Sequence, residues 1–182
     1  MKKILLTFAA FAAFACSTAV GQSRGYTDVK FVAVTPTVDT SIYAAKDNIG
    51  GLMTFSASVC GPVKHGYVTG VMITDKSDNA VEYDLLIFKS SPSGTFTDQA
   101  AVDPADADLL LMLPVINIAS TDHFSLNDNG ISSLSSLRSQ VWAVPTASSS
   151  SPGTLYVALV SRGTPTYGST SDITVTLAIA CD

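Results

Sequence analysis

From Asp172 to Ala180 the chain alternates strictly between large and small side chains, with Ile173, Val175, Leu177 and Ile179 set against Thr174, Thr176, Ala178 and Ala180. A period of two puts the four large residues on one face of an extended strand, which predicts one buried face and one open face. Shorter runs rich in β-branched and aromatic residues read the same way. They are Val29 to Val34, Leu52 to Ser58, Tyr67 to Thr74, Val81 to Phe88, Val115 to Ile118, Val141 to Val144 and Leu155 to Val160. Leu85 to Phe88 and Leu155 to Val160 are apolar on both faces, so they predict central strands covered from two sides. Asp75 to Asn79, Ser90 to Gly94, Asn127 to Gly130 and Ser148 to Gly153 hold the Asx, Ser, Pro and Gly residues that close turns. Strands at this spacing predict an all-β fold, an antiparallel β-sandwich or jelly roll. One short helix is expected after Asp103. That residue is a suitable N-cap, Pro104 fits the first helical position, Asp106 and Asp108 suit the positive end of the dipole, and Ala107 to Met112 continue the run.

The first 21 residues break the pattern. Lys2 and Lys3 precede an apolar run from Ile4 to Cys16, and Ala19-Val20-Gly21 offers small residues for cleavage before Gln22. This is the plan of an export signal helix. The run falls short of the roughly 20 apolar residues a membrane-spanning helix needs. The expected organisation is a signal at 1–21 and a single β-sandwich domain at 22–182, exported to the periplasm, the cell surface or the medium, with no membrane segment after cleavage. Lipidation at Cys16 is a competing reading, disfavoured because Phe14 and Ala13 depart from the lipoprotein pattern; retention as an anchor is another.

Without the signal the chain has 8 basic and 15 acidic residues, a formal charge of −7. No basic cluster exists to neutralise phosphates, which excludes a nucleic-acid partner of the usual kind. Two cysteines remain, Cys60 and Cys181. In an oxidising compartment they read as a disulfide, the other possibility being two separate buried thiols.

The chemistry of catalysis is thinly represented. His65 and His123 are the only histidines, neither lies in a catalytic motif, and both read as loop or surface residues. Asp122-His123 is no triad signal in a serine-rich chain. There is no Gly-x-Ser-x-Gly elbow, phosphate-binding glycine loop, His-Glu-x-x-His or Cys-x-x-Cys. An enzyme is therefore not expected. Asp103, Asp106 and Asp108 supply hard oxygen donors at short spacing, the one candidate metal site, with Ca²⁺ the ion they would suit and no other cofactor implied. Helix capping accounts for the same three acids. In Arg162 to Tyr167, Arg162 and Tyr167 are residue types enriched at interfaces and form a candidate contact loop, against a tight connection with Arg162 paired to an acid. Trp142 reads as core rather than as a sugar platform.

Several segments together resemble a group of tailed-bacteriophage structural proteins. They are Thr35 to Tyr43, Asp47 to Gly51, Val71 to Lys76, Asp84 to Phe88, Ala107-Asp108 and Leu159 to Tyr167, spanning nearly the whole chain after the signal. The resemblance implies a non-enzymatic, β-rich virion component, such as a capsid decoration or accessory assembly protein. Such a protein forms homo-oligomers and contacts a capsid or tail protein. The export segment and the cysteine pair support an alternative: an exported bacterial surface or filament-forming binding module, adhesin-like in character.

Overall fold

A computed structural model of the chain describes residues 28–56, 66–141 and 154–181, with the side chains of 138–141 left aside. The signal segment, Cys60, His65, Trp142 and the Ser148 to Gly153 turn lie outside the described residues.

Nine strands are described: β1 (Asp28–Val34), β2 (Asn48–Ser56), β3 (Gly66–Asp75), β4 (Tyr83–Phe88), β5 (Ile116–Ile118), β6 (His123–Ser125), β7 (Gly130–Val141), β8 (Thr154–Ser161) and β9 (Ile173–Cys181). They form a five-stranded sheet ordered β1-β9-β3-β7-β6 and a four-stranded sheet ordered β2-β8-β4-β5, every pairing antiparallel. The ladders nest. β4 pairs β5, and outside them β3 pairs β7, β2 pairs β8 and β1 pairs β9. A long hairpin wound into two sheets this way is the jelly-roll arrangement of a β-sandwich.

The core lies between the sheets. Ile173, Val175, Leu177 and Ile179 of β9 are all fully buried, as the alternation predicts. They meet Tyr83, Leu85 and Ile87 of β4 and Leu155, Val157 and Leu159 of β8 in one cluster. The two strands apolar on both faces have a second cover as well. Residues 89–115, between β4 and β5, fold back over the outer face of the four-stranded sheet, where Phe96 meets Phe88 edge-on at 5.3 Å. Leu86, Ala158 and Tyr156 pack into the same outer cluster.

The predicted helix is not formed. Asp103 instead bridges to Thr95 through paired backbone hydrogen bonds of 3.0 and 3.3 Å, and only Asp108–Leu110 closes a single 3₁₀ turn. The Asp108 carboxylate is taken up by the backbone N–H groups of Ser93, Gly94 and Ala105, which ties this segment to the loop at 93–94 in place of a longer helix. Ser132 to Val141 extends through a segment not expected as one strand, with a register shift opposite Val68 and Gly70 and a positive φ of 65° at Ser136.

Candidate functional site

The polar residues singled out in the sequence serve mainly to join loops. Asp108 is almost fully buried and its carboxylate accepts four bonds: from the backbone N–H groups of Ser93 (2.7 Å), Gly94 (2.7 Å) and Ala105 (2.9 Å) and from the Ser93 hydroxyl (3.1 Å). These bonds, led by the Ser93 N–H, hold its carboxyl below the ordinary 3.8 of an aspartate. Asp103 and Asp106 stay exposed, and among the described residues no three His, Cys, Asp or Glu side chains converge to hold a metal. A depressed carboxyl stabilises the fold above its unfolded value and loses that contribution as pH falls through the folded value. Asp108→Asn is therefore expected to lower stability at neutral pH and to flatten its decline below about pH 4. Urea midpoints measured at pH 7 and pH 3 check this, and an equal loss at both pH values would overturn it.

His123 is a correction to the surface reading. Its side chain is only 4% exposed, with Nε2 2.9 Å from Asp78 Oδ1 and Nδ1 3.0 Å from Ser132 Oγ. The Ser125 hydroxyl donates to the other oxygen of Asp78, and the Ser125 and His123 bonds hold the Asp78 carboxyl below its ordinary range. Serine, histidine and aspartate are thus assembled, but Ser132 is 2% exposed, so its hydroxyl faces no solvent-borne substrate. The cluster fastens the β3–β4 turn to the β6–β7 hairpin. Asp75 begins that turn, accepting the Ser77 and Asn79 N–H groups at 2.7 and 2.9 Å, while burial pushes its carboxyl up.

The contact-loop reading is corrected at Tyr167. Its ring is buried in the core, edge-on to Tyr43 at 5.5 Å, and burial pushes its hydroxyl pKa far up. Arg162 forms an ion pair with Asp84, whose other oxygen accepts from Asn117 at 2.9 Å. The tight-connection alternative describes this loop. Asp98, which the sequence reading passed over, accepts from the Gly50 N–H (2.6 Å), the Asp39 N–H (2.9 Å) and the Tyr43 hydroxyl (2.7 Å). Its partners fall in the segments of the phage resemblance, which gives those segments a structural role.

What the polar clusters leave over is a surface. The outer face of the five-stranded sheet has small residues at its centre, where Ala178 of β9 lies opposite Phe31 of β1 and Gly70 of β3, and Gly70 lies opposite Ser135 of β7. A Cβ on Gly70 would sit 3.1 Å from the Leu134 carbonyl, a tight contact that favours the low floor. Larger side chains rise around it: Phe31 is 74% exposed, Val29 45% and Met72 39%. The result is an open groove of about 580 Å³, and among the described residues no charged side chain lines it. Nothing among the described residues covers this face as 89–115 covers the other. The sequence held one signal for it, the small outward residues Thr174 to Ala180 of β9.

By its strand order the chain is a jelly-roll β-sandwich, and among the described residues one of its outer faces is covered and the other open. No protein-family model and no curated protein matches the sequence. Among solved structures the chain is weakly similar to the full particle of Israeli acute paralysis virus heated to 63 degrees, with a TM-score of 0.28, 9% identity, and coverage of 99% of this chain and 82% of that one. It is similar at the same level to the native virion of Kashmir bee virus at neutral pH, with a TM-score of 0.26, 8% identity, and coverage of 100% and 82%. Likeness this slight carries no argument about function.

Proposed function

We propose that this chain is a non-enzymatic structural protein of virion type that assembles with copies of itself through the open face of its five-stranded sheet. The observation that carries the reading is the difference between the two sheets. One is roofed by its own chain, whereas the other, among the described residues, is unroofed and presents a groove without charged side chains, rimmed by Val29, Phe31 and Met72. Contiguous apolar surface of this kind marks an interaction site. Jelly rolls serve as capsid subunits as well as lectins and cupins, so the fold alone does not choose. The phage-like segments favour a capsid decoration or accessory protein in contact with a capsid or tail protein.

A second reading is an exported bacterial surface or filament-forming module. The signal-like Met1 to Gly21 favours it, as does a Cys60–Cys181 disulfide, which suits an oxidising compartment better than the cytoplasm where phages assemble. Neither role requires a cofactor or a nucleic acid.

Native mass spectrometry of the purified protein tests the proposal. The expected result is a homo-oligomer of subunits that begin at Gln22 and weigh two hydrogens less than the reduced chain. A monomer at every concentration would overturn the assembly reading, and a full-length reduced subunit would overturn export.

A further inference from the structure

The five-stranded sheet ends at β1, which pairs with β9 on one side and, among the described residues, with no strand on the other. A strand of seven residues with an open edge is a template for pairing with another chain. Its exposed side chains, Val29 and Phe31, are also the rim of the groove, so edge and groove form one continuous surface. Resting on the self-assembly reading above, we infer that two copies join edge to edge through β1, antiparallel, about a twofold axis at Phe31.

The residues select this register. Centring on Phe31, the middle of Asp28–Val34, pairs all seven residues, with Phe31 facing its own copy and Val29 facing Ala33. Two aromatic side chains directly opposite on one face stabilise a strand pair. Centring on Lys30 would set two lysines directly opposite, which is unfavourable. Centring on Val32 would draw Pro36 into the ladder, where it has no N–H to donate. In the Phe31 register Lys30 faces Val32 and keeps its 2.7 Å ion pair with Asp28 on its own strand, so the charge that guards a lone edge is neutralised. The product is a continuous ten-stranded sheet with its two grooves side by side on one face, and the second copy is a like strand carrying no net charge.

Cysteine cross-linking tests the register. Under mild oxidation Phe31→Cys is expected to yield a disulfide-linked dimer, because residues directly opposite have Cβ atoms within about 5.5 Å. Val29→Cys mixed with Ala33→Cys is expected to cross-link as a heterodimer, while Thr54→Cys, exposed on the other sheet, and the unsubstituted chain are not. Phe31→Glu, which sets two carboxylates opposite each other, is expected to dissociate the dimer in light scattering. If the unsubstituted chain assembles but Phe31→Cys does not cross-link, β1 pairing is overturned and the assembly reading stands; that result also covers occupation of the edge by the segment ahead of Asp28. If the unsubstituted chain is monomeric, both fall.

Discussion

Leu177→Ala is expected to remove about 2–5 kcal/mol of stability, the range for emptying a well-packed leucine site. Leu177 is fully buried in the middle of β9, with Val32 of β1 on one side and Val71 of β3 on the other. Its side chain faces the opposing sheet, so truncation leaves a cavity in the middle of the sandwich, beneath a strand hydrogen-bonded on both edges, and such a site collapses little. In a chain of this size the melting temperature should fall by roughly 2–4 °C for each kcal/mol lost. A denaturant midpoint that drops with an unchanged slope would locate the effect in the folded state. A loss below about 1 kcal/mol would mean that the site relaxes and that β9 is not the keel of its sheet.

Gly50→Ala is the second large effect. Gly50 has φ +75° and its Cβ would fall 2.3 Å from Pro36 Cβ and 2.6 Å from Pro36 Cγ. The left-handed backbone costs a side-chain residue about 1–2 kcal/mol, and forcing an atom into a packed contact typically adds about 1–3 kcal/mol. The expected total is therefore about 2–5 kcal/mol, read from the same unfolding curves. Moving the backbone to relieve the clash would pull the Gly50 N–H from Asp98 and disturb the register shift between Ile49 and Leu52. Pro36→Ala in the same background is expected to recover part of the loss, because it removes Cγ, one of the two colliding atoms. Failure to recover any would assign the cost to φ and to the Cβ contact that alanine keeps.

The sandwich was legible because most strands announce themselves. Period two across Asp172 to Ala180 and the doubly apolar β4 and β8 follow directly from which faces are covered. The turns at Asp75 to Asn79 and Asn127 to Gly130 were legible from Asx and Gly chemistry, and the structure closes both there. The strand β7 was hidden. Its apolar residues Ile131, Leu134 and Leu137 fall every third position, and a bulge near Ser136, not a regular pleat, brings two of them to the core. The helix at 103–112 was misread because an aspartate that caps helices is equally suited to gathering loop N–H groups, and only the packing of Ser93 and Gly94 beside Asp108 decides which it does. Tyr167 was misread for a related reason: a tyrosine beside a loop arginine has the composition of a contact surface, and burial is set by strands remote in sequence. The open face was nearly invisible, since it arises where β1, β3, β7 and β9 set small residues side by side from four separate parts of the chain.

The nested strand order also governs the sequence of events in folding. β9 lies between β1 and β3, and β8 between β2 and β4, so each sheet receives one of its inner strands from the last quarter of the chain. Until those strands arrive, β1 has no partner and β2 has none, and a chain truncated after β7 holds no ladder but β3·β7, β4·β5 and β6·β7. Long-range pairing of this kind is slow to form. Neither sheet can therefore be completed until the last quarter of the chain has been made, which places the closing of the sandwich at the very end of synthesis.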